Sequence, residues 1–276
     1  MTTTGRAEIG FGRAPGGRTF LRRQFAAYPF HICRPHYFAG DPADMVTLYL
    51  QSLSGGIYEH ERLSLAIAAE PGTQAHVTSQ ASTIVHSMET GHAELAVSIE
   101  ADDRALVEFL PDPLILFPRA RLCSAVKVRR HDGATVICSD AFLAHDPEGA
   151  DRSFDSLDSR LDVEDWEGRL LARDRFVLTG EMHRSRRSAE RRNYGALASV
   201  VVLTGSAQLE PLLDTLRSAL DGLPETYAGA SALPNDCGLR ARILSADGAS
   251  LRVAMHAAWA AVREAVTGAR PQRRRK

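Results

Sequence analysis

The chain has 276 residues, 44% of them hydrophobic and 24% charged, with a formal net charge of -1. That length holds one extended all-β domain or two small ones, and the balanced charge excludes a global excess that would hold it on nucleic acid or an anionic membrane. Four scattered cysteines without a CxxC pair, no run of roughly 18 apolar residues and no apolar leader at the N-terminus predict a soluble cytoplasmic protein without membrane partners.

Residues 1–17 are rich in Gly, Thr and Arg without hydrophobic period and read as a flexible segment. From Arg18 to Val202 the dominant signal is alternation with period two in short pieces, the pattern of half-buried antiparallel strands. Leu63, Leu65 and Ile67 share one face, as do Leu95, Val97 and Ile99. Leu122, Val126 and Val128 lead to His131-Asp132-Gly133, where Asp-Gly predicts a hairpin with Thr135 and Ile137 on the return. Leu161 and Val163 lead through Glu167-Gly168 into Arg169 to Leu178, a second predicted hairpin. Glu181 to Arg192, EMHRSRRSAERR, reads as a solvated loop or protein-docking patch, since no aromatics interleave its arginines.

The last third changes period. Leu209, Leu212, Leu213, Leu216 and Leu220 fall at helical spacing, with Pro211 tolerable only in the first turn. Leu239 to Leu244 reads as a strand and Asp247-Gly248 as a turn. Met255, Ala258, Trp259, Val262 and Val266 mark one face of a closing helix, and residues 269–276 form a basic disordered tail. The fold expected is mainly β: an elongated antiparallel or β-helical-like scaffold of many short strands, with about two α-helices near the C-terminus. Residues 18–268 form its single domain.

Candidate chemistry is sparse. Gly55-Gly56 suits a tight turn, because glycine tolerates positive φ and close backbone approach, and no phosphate-loop pattern accompanies it. Glu59, His60 and Glu61 offer carboxylate and imidazole ligands to a divalent ion, although neighbours on a strand point to opposite faces. His31, Cys33 and His36 form the densest soft-ligand group but lack structural-zinc spacing. No nucleophile elbow, HExxH motif or triad context supports catalysis.

Several blocks in order resemble the urease accessory protein family called UreD, or UreH. They are Gly55-Gly56-Ile57-Tyr58-Glu59-His60-Glu61-Arg62-Leu63, then Val77-Thr78-Ser79-Gln80-Ala81-Ser82-Thr83-Ile84-Val85, then Leu110-Pro111-Asp112-Pro113-Leu114-Ile115-Leu116-Phe117. Arg34-Pro35 and Leu251 to Gly268 are similar to the family's beginning and end. Gly55, Gly56, Gln80 and Pro111 thus fall on structural motif positions. Two departures stand out: His60-Glu61 replaces the family's Gly-Asp, and residues 143–150, after Cys138-Ser139-Asp140, lack its Gly-Arg and Gly-Glu pattern.

The resemblance implies a non-enzymatic scaffold that binds urease apoprotein on one side and a UreF-like protein on the other, which recruits a UreG-like GTPase. It also implies transient Ni²⁺ passage along an interior polar route, with no tightly bound cofactor. Glu61, His60, Glu59 and Asp140 are the candidate route residues. Two competing readings are a β-rich metal-dependent enzyme that gathers His31, Cys33, His36, His60 and Glu61 around one ion, and a β-sheet protein-binding module without metal.

Overall fold

Period-two alternation puts every second side chain on one face of a strand, and here that face turns into the lumen of a coil. A computed structural model describes residues 4–189 and 194–272 of the chain. The first seven strands are β1 (Thr4–Arg13), β2 (Thr19–Ala26), β3 (Phe30–Ile32), β4 (Met45–Ser52), β5 (Arg62–Ala69), β6 (Gln74–Ser79) and β7 (Thr83–Val85). The next seven are β8 (Ala93–Ala101), β9 (Leu106–Phe109), β10 (Leu114–Leu116), β11 (Arg121–Arg130), β12 (Thr135–Ala144), β13 (Ser156–Glu164) and β14 (Leu170–Thr179). The remainder comprises α1 (Gly180–Ala189), β15 (Ala196–Leu203), α2 (Leu209–Leu220), β16 (Thr226–Ala232), β17 (Leu239–Ser245) and α3 (Gly248–Thr267).

Strands distribute alternately between two sheets, ordered β14-β13-β11-β8-β5-β1-β2 and β16-β17-β15-β12-β9-β6-β4-β3. Short strands β7 and β10 pair with each other and β10 with β12, forming a narrow third side. The chain is therefore a β-solenoid, and the neighbours β1-β5-β8-β11-β13 and β4-β6-β9-β12 pair in parallel.

Parallel register stacks like on like. Ala7, Leu65, Val97, Val126 and Leu161 form one ladder across the first sheet, and Ile9, Ile67, Ile99, Val128 and Val163 the next. Facing them, Val46, Ala75, Val107 and Val136, then Leu48, Val77, Phe109 and Cys138, form the opposing ladders. These residues form most of the largest core cluster, with Val126 partly buried against it. Apolar burial at roughly 25 cal/mol per Å² drives the coil shut.

Several expectations change. The alternation does mark strands, but the coils pair in parallel, because adjacent segments belong to different sheets and meet their equivalents one coil away. Asp132-Gly133 is a corner between sheets instead of a hairpin: His131 and Thr135 donate backbone hydrogen bonds to Ala101 and Ala105 of the preceding coil, at 2.9 and 2.8 Å. The Glu167-Gly168 turn does close an antiparallel hairpin, β13-β14. Residues 4–13 of the supposed flexible segment form β1, whose Ala7, Ile9 and Phe11 are buried in the core. The basic segment begins as helix α1, and its residues 190–192 lie outside the described residues, as do 1–3 and 273–276 of the tail. Pro271, also in the expected tail, is buried.

Helices α2 and α3 arise where the spacing places them and cover the outer face of the second sheet. Leu212, Leu216 and Leu220 of α2 pack with Ala254, Ala258 and Val262 of α3 against Val200, Val202 and Ile243. Asp247 caps α3 by accepting a hydrogen bond from the Ser250 amide at 2.8 Å, so the residue read as a turn is the helix start. Near its end, α3 is pinned through a buried ionic network. Arg263 Nε donates to Glu108 Oε1 at 2.7 Å, Arg263 Nη1 to Asp41 at 2.7 Å, and His76 Nδ1 lies 2.7 Å from Glu108 Oε2. Burial pushes the Glu108 carboxyl up, but its bonds to His76 and Arg263 outweigh that and hold it well below the usual carboxylate range.

Candidate functional site

One layer of the lumen breaks the apolar ladders. Next to Leu65, Val97, Val126 and Leu161 lie Leu63, Leu95, Ser124 and Ser159 at matching register. Opposite, the step beyond Leu48, Val77 and Cys138 brings Leu50 and Ser79 in register and Asp140 two residues along β12. Strand geometry thus turns a carboxylate and three hydroxyls inward at one level, where packed apolar side chains would otherwise close the core.

The result is a cavity of about 130 Å³, room for several waters. Pro29, Phe30, Leu50, Leu95 and Phe142 supply apolar wall, while Ser79, Asp112, Ser124 and Asp140 supply polar groups. Ser159 donates its hydroxyl to Asp140 Oδ2 at 3.1 Å. Burial pushes the Asp140 carboxyl upward, opposed by the Arg240 charge and the Ser159 hydrogen bond. A carboxylate held there at a cost is one that a cation would stabilise. Cys138 is pushed up to about 12 by burial, so it stays a thiol and offers a passing metal no thiolate.

The Glu59-His60-Glu61 cluster sits elsewhere and does something different. Gly55 and Gly56 adopt φ of 75° and 157°, and a Cβ at Gly56 would lie 2.6 Å from both the His86 ring and the Ile84 carbonyl, so only glycine fits. After this turn, Glu59 Oε1 accepts from the backbone amides of Glu89 at 3.2 Å, Thr90 at 2.6 Å and Gly91, clamping the corresponding turn of the next coil. Those amides, Gly91 first, lower its carboxyl to about 2. His60 has φ 66°, its amide donates to the His92 carbonyl at 3.1 Å, and its ring is exposed. Glu61 is buried, but its Oε2 accepts from the Tyr58 amide at 3.0 Å and closes the turn locally.

None of these three lines the cavity, so the structure separates Asp140 from them. Of the motif positions, Pro111 lines the cavity, while Gln80 receives a hydrogen bond from Gln51 at the cavity's edge. His31 and His36 are exposed on and beside β3, and among the described residues no three His, Cys, Asp or Glu side chains gather where they could hold a metal. The proposed His31, Cys33, His36, His60 and Glu61 centre therefore does not form. Ser124 and Ser159 were missed by sequence reasoning, although each occupies an inward position flanked on its strand by apolar inward residues, Leu122 and Val126 for Ser124 and Leu157 and Leu161 for Ser159. That lapse in the alternation was the available signal.

Fold and site define a β-solenoid scaffold with a small, partly polar interior cavity. The chain belongs to the UreD urease accessory protein family, whose model matches residues 3–276. It is 43% identical over 98% of its length to urease accessory protein UreD 1 of Pseudomonas syringae pv. syringae, covering 95% of that protein. It is 42% identical to UreD 1 of Methylorubrum extorquens over 95% of its length, and covers 89% of that relative. To UreD of the more distant Natronomonas pharaonis it is 32% identical over 91% of its length, covering 83% of that protein. These relatives are named accessory proteins and not enzymes. No helix among the described residues is long and apolar enough to cross a membrane.

Proposed function

We propose that this chain works in urease maturation in the cytoplasm as a non-enzymatic scaffold. It binds urease apoprotein, joins it to a UreF-like protein and through that to a UreG-like GTPase, and passes Ni²⁺ through the solenoid lumen. The observation that carries the reading is the inward carboxylate of Asp140 on a water-sized cavity in a chain of this family. Transit needs weak ligands that release as readily as they bind, and Asp140 among serine hydroxyls, with Asp112 on the same cavity, meets that need where a closed set of strong ligands would trap the ion. Ni²⁺ is cargo here, and no cofactor is held tightly.

The route residue is Asp140, with Ser79, Ser124 and Ser159 around it; the Glu59, His60 and Glu61 turn supports the coil. The test has two arms. Tagged chain is co-purified with urease apoprotein and a UreF-like protein, and urease nickel content is measured with Asp140→Asn in place of the native chain. Intact complexes with lowered nickel support both parts. Failure of the folded chain to bind either partner rejects the scaffold role, and full nickel loading by the variant rejects the route.

A further inference from the structure

Each sheet has two edges, and an edge exposes unpaired backbone groups that invite another strand unless it is charged, short or covered. Three of the four edges here are guarded. Strand β2 carries Arg22 and Arg23, β14 carries Arg173, Asp174 and Arg175, and β3 has only three residues. The fourth, β16, reads Thr-Tyr-Ala-Gly-Ala-Ser-Ala, seven residues without a charge or a proline.

The direction of its open groups follows from the ladder. The Ala246 amide donates to the Glu225 carbonyl at 3.0 Å and the Leu233 amide to the Gly238 carbonyl at 2.8 Å, bracketing an unbroken β16-β17 register. In an antiparallel pair the bonded positions alternate, so odd residues face β17 and Thr226, Ala228, Ala230 and Ala232 turn N–H and C=O outward. Arg217 confirms that direction by donating Nε to the Ala230 carbonyl at 3.3 Å.

That edge lies along a cleft of about 470 Å³ between the last turn of α2 and β16, lined by Arg217, Asp221, Gly222, Tyr227, Ala228 and Ala230. A second copy would present the same chargeless strand to Arg217, which disfavours pairing with another copy of this chain. Arg217 is exposed and has no ion-pair partner among the described residues. Its guanidinium swings on a flexible stem, so an entering strand can take the Ala230 carbonyl and leave Arg217 to a carboxylate on the newcomer.

We propose that the β16 edge is a strand-addition site that captures an extended segment of another protein, with small or β-branched side chains and an acidic residue placed to meet Arg217. Main-chain bonds to Ala228 and Ala230 supply the affinity, and Arg217 supplies the register and preference. The site is independent of the interior cavity and of any nickel route.

The probe is an end-blocked fluorescent octapeptide, Ser-Val-Glu-Val-Ser-Val-Thr-Ser, titrated into the full chain, with a Lys-for-Glu peptide as control. Expected results are saturable binding that weakens at least tenfold for Ala228→Pro, a preference for the Glu peptide that Arg217→Glu inverts, and slowed amide exchange at Ala228 and Ala230 in the native chain. The exchange measurement needs no variant, so it decides the matter if Ala228→Pro misfolds. Absence of saturable binding, or binding that leaves those two amides unprotected, overturns the site. Concentration-dependent dimers that protect the same amides without peptide overturn the choice of occupant.

Discussion

The turn at Glu59 to Glu61 and the layer around Asp140 are both rich in groups that bind cations, yet they are used in opposite ways. In the turn, Glu59 and Glu61 accept from backbone amides and are committed to holding adjacent segments in place. In the lumen, Asp140 has a single side-chain hydrogen bond, from Ser159, and faces a cavity. Satisfied carboxylates build the fold, and a carboxylate with few donors in a low-dielectric interior is one that a cation would stabilise.

A third carboxylate sets the scale of that contrast. Glu108 is fully buried and fully satisfied by Arg263 and His76. Arg263→Met strands Glu108 and Asp41 without their cation and is expected to cost about 3–5 kcal/mol in chemical denaturation, the largest effect foreseen. Asp140→Asn keeps shape and the Ser159 contact and is expected to cut nickel loading of urease several-fold. It should leave the thermal midpoint at or above the native value, because a carboxyl whose folded pKa is raised loses stability as pH climbs through its unfolded value, and the amide does not titrate.

Glu59→Gln should act only locally. Its carboxyl is lowered to about 2, so its contribution is present above the unfolded carboxylate pKa and is lost as pH falls toward 2. Protection of the Thr90 and Gly91 amides, measured against their intrinsic exchange rates, should therefore fall in the native chain as pH approaches that value, and should be reduced at neutral pH in the variant, whose amide oxygen accepts the same bonds without a charge. Glu61→Gln, which keeps an acceptor for the Tyr58 amide, should be the mildest, with nickel loading near native. A large loss there would erase the distinction between the two regions.

Much of the architecture was legible in the chain. Leu65 and Ile67, or Val97 and Ile99, announce their inward face by alternation, and Leu212, Leu216 and Leu220 announce α2 by spacing. Pairing direction was not legible, because alternation is the same for parallel and antiparallel strands and Asp132-Gly133 turns a corner as readily as a hairpin. The site was half legible. Asp140 entered only through family resemblance, and its partners Ser124 and Ser159 come from strands distant in sequence that register stacking alone brings level. Glu59 and Glu61 attracted attention as a cluster, but their hydrogen bonds run to Tyr58 and to the turn at Glu89 to Gly91, which sequence spacing does not reveal.

The central claim is that the interior carboxylate, and not the surface turn, serves the cargo. The direct measurement is the nickel content of urease purified from cells that mature it with Asp140→Asn or with Glu61→Gln, at matched accessory-protein levels. Depleted nickel with Asp140→Asn and near-native nickel with Glu61→Gln is the expected result; the reverse order, or equal loading by both variants, contradicts it.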